Sequence, residues 1–431
     1  MSFLFKTLGD FVSGLAAAFG VLGVVWYLVV PFFFPLVKYV WREYIKRVYR
    51  GGLKYVLLEM IPPKELEKSP KPMELFFSAL AGTVRGFNAY DKYVDGAVPA
   101  FFTFEIVGDG GDIHFYIHTE KKFQNLVEAH LFAQYPDMEI FEVPDYTEDV
   151  PSTVPNDGWD LWGVEFEAVK PDLYPIKTYD RFEEDVTGKM VDPISGILEV
   201  MSKLPPNQKL WFQMVVWTPK PSNYAHLKDT IDEFVGKKKP KKGLFESGFI
   251  ADLADVFSNV FKGIFGVVEF SSPNAKKEEQ EQPIEFKLRP VQKDVLKALE
   301  NNLGKQMFLV KPRMVYIGKR ENFDKNVAKA FVGAINQFSD QNMNGFKKGK
   351  RSETKADFFM VDERVTQRKH RIFNRYIDRD DDPDDTSKFM SADELATIFH
   401  PPDMTVLTPT LQRVSAKRGS APSNLPIFIE D

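Results

Sequence analysis

Cysteine is absent from the 431 residues. That excludes disulfides, thiolate metal sites and a cysteine nucleophile. Histidine is scarce, with six in the chain. His114 and His118 lie four apart on an expected strand, which sets them about 13 Å apart at strand rise. One metal ion cannot bridge that distance, so both read as sheet residues. The sequence also lacks a G-x-x-x-x-G-K-[ST] phosphate loop, a G-x-S-x-G elbow, an H-E-x-x-H pair and a dinucleotide fingerprint. The stretch "GFKKGK" at 345–350 does not have the phosphate-loop frame. The expectation is a chain without catalytic residues, metal or cofactor, and not an enzyme. Net charge is −5, so no global basic field recruits nucleic acid; any such contact has to be local.

Apolar residues are plentiful, at 44%, and phenylalanine occurs 39 times. From Phe11 to Val37 there is no charged side chain, a run long enough to cross a bilayer, which takes roughly 20 apolar residues. Phe11, Leu15, Val21, Val24, Trp26, Tyr27 and Val30 mark this span. Pro31 and Pro35 are expected to end or kink its helix near "PFFFP". A basic juxtamembrane stretch follows, with Lys38, Arg42, Lys46, Arg47 and Arg50, whereas the leading tail has only Lys6 and the amino terminus against Asp10. The positive-inside rule then places the N-terminus outside and the bulk of the chain in the cytoplasm, as a single pass of the inner (cell) membrane. A cleaved signal peptide fits less well, because the run is long and no small-x-small site follows. A re-entrant hairpin broken at the prolines is the other alternative.

Five segments follow from the pattern: an anchor with its basic stretch (1–55), a Pro- and charge-rich linker (56–72), a first α+β module (73–150), a second (151–345) and a basic/acidic helical C-terminal segment (346–431). In the first module "MELFFSALAGTV" reads as a helix. "PAFFTFEIVGDGGDIHFYIHTE" reads as a hairpin turning at "GDGG", with Phe102, Phe104 and Ile106 on one face and Ile113, Phe115 and Ile117 on the paired face. Phe123, Leu126, Val127, His130 and Leu131 then make a helical stripe that stops before Pro136, and "MEIFEV" is a further strand. The second module reads as strand, helix, strand, helix, helix, strand, helix. Asp192 is its expected first N-cap, and Pro312 is expected to place the last strand at an edge or bulge. Both modules are expected to be antiparallel sheets with helices, in the ferredoxin-like manner.

An insertion at 244–270 differs in character. Phe245, Phe249, Leu253, Phe257, Phe261 and Phe265 fall on one helical stripe between lysine-rich and glutamate-rich tethers. The stripe suits an interfacial helix lying on membrane lipid or a partner; packing on its own domain is the alternative.

Two C-terminal features carry the remaining candidate chemistry. Lys347, Lys348, Arg368, Lys369, Arg371 and Arg375 concentrate positive charge in 346–375, a candidate nucleic-acid contact, although "DRDDDPDDT" follows directly and a solvated, balanced face accounts for it as well. In "SADELATIFHPP" Ser391 and Glu394 have capping-box spacing. Leu395, Ile398 and Phe399 give that helix an apolar face suited to docking a partner, and His400 before Pro401 marks its end.

"SADELATIFHPP", with "LQRVSAKRGSAPSNLP" after it, resembles the segment leading into the motor domain of type IV secretion and conjugation ATPases and their HerA-like relatives. The order of "MELFFSALAG", "FEIVGDGGDIHFYIH" and "FQNLVEAHLFAQYPDMEIFEV" is similar to the N-terminal regions of those proteins, which often carry a membrane anchor. The likeness covers most of 70–425. The motor's phosphate loop is missing, so the resemblance implies a membrane-anchored accessory or scaffold protein of a conjugation or type IV secretion-like DNA-translocation system. Its motor ATPase would act in trans, and homo-oligomerisation is compatible with this role. The alternative is a membrane-tethered nucleic-acid-binding protein.

Overall fold

The structure, a computed structural model, describes residues 33–64, 66, 69–182, 191–235, 288–380, 386–403, 411 and 413. The span marked by Phe11 to Val30 and the stripe from Phe245 to Phe265 both lie outside these residues. Among the described residues no helix is long and apolar enough to cross a membrane.

Residues 33–51 are helical (α1) and include Pro35 within the first described turn, while Pro31 lies outside the described residues. The next segment corrects the sequence reading. Tyr55–Ile61, all but its first residue assigned to the linker, is a buried strand, β1. Its sequence, YVLLEMI, shows little polar alternation because both sheet faces are covered at this point, and the prolines after it suggest a linker. Helix α2 (Lys71–Leu80) and the short α3 (Ala89–Tyr93) follow. Strands β2 (Phe101–Asp109) and β3 (Asp112–Glu120) form the expected hairpin. Gly110 and Gly111 turn it at φ +58° and +103°, a left-handed pair that glycine adopts without steric penalty. Helix α4 (Gln124–Gln134) and β4 (Glu139–Val143) complete the first half.

The second half runs β5 (Trp159–Ala168), α5 (Ser195–Ser202), β6 (Gln208–Trp217), α6 (Lys228–Phe234), α7 (Pro290–Leu303), β7 (Met307–Lys319), α8 (Lys325–Ile335) and β8 (Phe346–Lys348). Asp192 is not the N-cap of α5, which Ile194 occupies without a side-chain bond. The chain ends its described course with α9 (Val361–Ile377), β9 (Lys388–Ser391) and α10 (Ala392–Ile398). The described part of 346–431 is therefore not a separate unit: β8 and β9 add strands to the sheet, and α9 and α10 cover opposite faces of it.

Among the described residues the fold is α+β around one nine-stranded sheet, ordered β4-β1-β3-β2-β6-β7-β5-β8 with β9 beside β7. Every strand pairing in it is antiparallel. Each half has its four strands in the order fourth, first, third, second, and the two second strands, β2 and β6, meet edge to edge over nine residue pairs from Phe101↔Trp217 to Asp109↔Lys209. Pro312 falls where β7 changes partner on its outer edge, between β9 (to Val310) and β5 (from Arg313). A missing N–H is tolerated at such a gap, so the proline is neither a bulge nor a break.

Alternation along the strands sorts the two faces. Phe102, Phe104 and Ile106 of β2, Phe212 and Met214 of β6 and Met314 of β7 point to one face, against α2, α4, α5, α8 and α10, in the main core. At the seam Gly108 lets α5 and the turn after it approach, since a Cβ there would lie 3.0 Å from the Met201 side chain and 2.9 Å from that of Leu204. Val107, Trp211, Val315 and Ile317 point to the other face, which α9 covers with Ile372, Phe373 and Tyr376. Helices α6 and α7 build a smaller third cluster around Leu227 and Leu299.

Candidate functional site: an arginine-lined cavity over a buried charge layer

The second sheet face is apolar at its margins and charged at its centre. Glu105 on β2, Gln213 on β6, Lys311 and Arg313 on β7 and Glu165 on β5 are all fully buried. Strand alternation forces these side chains onto this face, and the turn after α9 supplies their partners. Arg379 donates from Nε to Glu105 Oε1 at 2.9 Å and from Nη1 to Asp145 Oδ2 at 2.6 Å. Tyr146 Oη, Gln213 Nε2 and Thr103 Oγ1 also donate to Glu105, at 2.7, 2.8 and 2.7 Å. Burial pushes the Glu105 carboxyl up, but the Arg379 charge and its hydrogen bond outweigh this and hold it below its usual range. Arg379 is driven the opposite way, its burial outweighed by Glu105 and Asp145. His118 is close by. Burial first, and then the Arg379 charge, lower its pKa to about 3, so it stays neutral.

Next along the layer, Arg375 Nη1 donates to Glu165 Oε2 at 2.9 Å, and Lys311 Nζ lies 3.8 Å from Glu165 Oε1 and 3.4 Å from Asp380 Oδ2. Arg313 donates to the Asp380 carbonyl at 2.8 Å and to the Arg375 carbonyl. Above Glu165 opens a cavity of about 220 Å³, lined by Arg351, Arg368, Arg371, Arg375, Ser352 and Thr386. Four arginines thus line one space, with Glu165 the one carboxylate among its described lining residues. Guanidinium groups remain charged and do not act as bases. The arrangement suits holding an oxyanion, not moving a proton.

Only part of the basic set expected from sequence meets here. Arg368, Arg371 and Arg375 line the cavity, joined by Arg351, which sequence reasoning passed over. Its signal was the run "KKGKRS", where Arg351 comes directly before the buried Ser352. Arg371 makes no ion pair or hydrogen bond in the described residues, whereas Arg368 Nη1 is bound to the carbonyls of Lys350, Glu353 and Lys355. The lysines point elsewhere. Lys347 is 3.8 Å from Glu167, Lys348 pairs with Glu353 and Lys369 with Asp160. Each lysine thus lies beside a carboxylate of its own chain, but none of these carboxylates belongs to the acidic stretch expected to balance them.

The docking helix is corrected. Leu395, Ile398 and Phe399 are fully buried, and the Phe399 ring lies 5.2 Å from Phe104 and 5.8 Å from Phe115. An apolar helical stripe looks the same in sequence whether its own sheet or a partner covers it; here the sheet and α2 do. The capping box forms as expected, with Ser391 N and Oγ both 2.8 Å from Glu394 Oε2. His400 follows the helix end and is buried, with Nδ1 2.8 Å from the Ala396 carbonyl and Nε2 3.1 Å from Asp192 Oδ1. Burial raises the Asp192 carboxyl, but the His400 charge and hydrogen bond, with the Asp403 and Ile194 amides, bring it below its usual range.

The exposed apolar surface lies elsewhere. Phe358 is 96% and Phe359 77% exposed just before α9, with φ +71° at Phe358 and +47° at Met360. On α1, Phe34, Val37, Val40, Tyr44 and Val48 are exposed while Ile45 is buried. The juxtamembrane cations fall on this helix: Lys38 lies over the Tyr93 ring at 4.8 Å, Lys46 pairs with Glu43 at 2.8 Å, Arg42 and Arg47 are exposed and Arg50 is half-buried. His114, read as a sheet residue, pairs with Glu59 at 2.6 Å, and among the described residues no group of three or more ligating side chains could hold a metal ion.

Fold and cavity together define an α+β protein built on one large antiparallel sheet, with a candidate oxyanion site on its second face. The family described as Domain of unknown function (DUF8128) matches residues 95–413, well over half of the chain, and the chain belongs to it. The match begins after α3, so α1, β1 and α2 lie outside it. No curated protein matches the chain.

Proposed function

We propose that the chain is a membrane-anchored accessory protein of a DNA-translocation system of the conjugation or type IV secretion kind, which positions a motor ATPase carried on another polypeptide. In this reading its two halves are ferredoxin-like modules fused along their second strands, with α3 added to the first and α6 and α7 inserted between β6 and β7 of the second. The observation that carries the proposal is α1. Its described residues begin within the uncharged run, present apolar side chains to solvent along their length, and are keyed to the first half by Trp41 Nε1, which donates to the Tyr93 carbonyl at 2.9 Å. Gly96 makes the close approach possible: at φ +70°, its Cβ position would lie 2.4 Å from the Ile45 carbonyl oxygen. An anchor so fixed would orient the sheet relative to a bilayer, which suits a scaffold. Because the native chain has no cysteine, topology is directly testable. Ser2→Cys should label from outside sealed cells with a membrane-impermeant maleimide and Ser420→Cys only after lysis; equal labelling of both, or the reverse pattern, would sink the reading.

A second reading, a membrane-tethered nucleic-acid-binding protein, is favoured by the arginine cavity. Few of the basic side chains remain for phosphates, since Lys348, Lys369 and Arg375 meet carboxylates of their own chain. Duplex affinity that falls steeply with salt, and is weakened by Arg371→Glu, would support this reading; affinity indifferent to both would remove it.

A further inference from the structure

A second cleft, of about 410 Å³, opens beside α3 at the end of β6. Its basic residues are Arg85, Lys92 and Lys220, and its apolar wall includes Phe87, Trp217 and Leu309. None of the described residues lining it is a carboxylate. The three cations are exposed, and none makes an ion pair or hydrogen bond within the described residues. Lys220 also lies close to the Arg85–Phe87 segment. The Lys220 ammonium lies against the backbone between Arg85 and Phe87, so that a Cβ on Gly86 would come 2.7 Å from its nitrogen. Arg85 is held 5.7 Å over the Phe87 ring. Like charges gathered without a counter-charge repel, and a bound anion relieves that repulsion.

The position of the cleft narrows the anion. Lys92 on its rim and Tyr93, which takes the Trp41 hydrogen bond and lies under Lys38, are adjacent residues of α3. One short helix therefore joins the cleft to α1. Trp217 is almost wholly buried behind the cations, so an entering group finds positive charge at the rim and an aromatic and aliphatic wall behind it. A phosphate ester with attached carbon fits both parts, and basic clusters next to membrane segments attract anionic lipid.

We propose that this cleft is a phosphate site occupied by the headgroup of an anionic phospholipid, which fixes the rotation of the sheet about its anchor. The proposal rests on the membrane reading above. The test uses the full chain in a non-ionic detergent, titrated calorimetrically with short-chain phosphatidylglycerol, short-chain phosphatidylcholine and inorganic phosphate. Saturable binding of phosphatidylglycerol is expected, with phosphatidylcholine and phosphate weaker by about tenfold or more. Lys220→Glu and Arg85→Glu should each lose a similar factor at an unchanged melting temperature, because both side chains are exposed. Lys220→Gln should lose less than Lys220→Glu. Equal binding of phosphatidylcholine would overturn the charge argument, and equal or tighter binding of inorganic phosphate would overturn the lipid source. Flotation of the same protein with neutral phosphatidylcholine vesicles checks the anchor alone. Failure there with binding intact removes the anchor, and flotation without binding removes the site.

Discussion

Arg379 closes on Glu105 across 274 residues of sequence, its Nε 2.9 Å from Oε1 at the centre of the sheet. Both side chains are buried: Arg379 is 4% exposed and Glu105 is not exposed at all. The pair ties the turn after α9 to β2, and so joins the C-terminal part of the family match to the seam between the two halves. Removing one partner leaves a buried charge. Arg379→Met should destabilise the chain by about 3–5 kcal/mol. The double variant with Glu105→Gln should recover part of that loss, because Gln is neutral and keeps a group for Tyr146 and Gln213. Chemical denaturation of wild type, both single variants and the double closes the cycle; strictly additive losses would mean that the two side chains are not coupled.

Acid should weaken the fold through the same layer. His118 has a folded pKa of about 3 against its ordinary 6.5. Between these values the unfolded chain holds more protons, so stability rises with pH across that window, by at most ~1.4 kcal/mol per unit for one group. Glu105 and Asp145, both held below their ordinary ranges, add stability that is present above their unfolded values and lost as pH falls further. Denaturation midpoints measured from pH 4 to 7 should climb. His118→Phe should flatten the upper part of the climb, above about pH 5 where carboxylates are ionised, and an unchanged slope would clear His118 of the effect.

Two apolar sites should respond differently to mutation. Phe399→Ala empties a packed position against Phe104 and Phe115 and should cost about 3–5 kcal/mol, read as a lower melting temperature. Phe358→Ser with Phe359→Ser removes exposed rings and should leave melting within about 0.5 kcal/mol of wild type, as surface changes usually do. If the chain meets a partner through an apolar surface, that loop presents one and α10 does not.

His400 and Asp192 form a buried pair closed by the Asp403 amide, 2.9 Å from Asp192 Oδ2. His400→Leu should destabilise by several kcal/mol, since it strands the carboxylate. His400→Gln, able to donate to Asp192, should recover most of the loss. Equal melting of the two variants would show that shape, not the hydrogen bond, matters at this position.

Much of the fold was legible in the chain. The β2–β3 hairpin follows from alternation on either side of "GDGG", because period two and a glycine pair are local properties. The capping box at Ser391 and the stripe of α4 follow for the same reason. Other features depended on what covers each face. YVLLEMI reads as part of a linker until both faces of β1 are seen to be buried. Leu395, Ile398 and Phe399 have the same spacing whether a partner or their own sheet receives them, and burial on the sheet decided it. The basic run of 346–375 gave the charge but not its destination: Lys348, Lys369 and Arg375 found carboxylates on Glu353, Asp160 and Glu165, while Arg351, Arg368, Arg371 and Arg375 converged on one cavity. Sequence by itself determined the local periods, caps and turns, which depend on neighbours a few residues away. Only the tertiary structure decided which edges join, which charges meet and which apolar side chains remain exposed, because those depend on contacts as distant as Glu105 and Arg379.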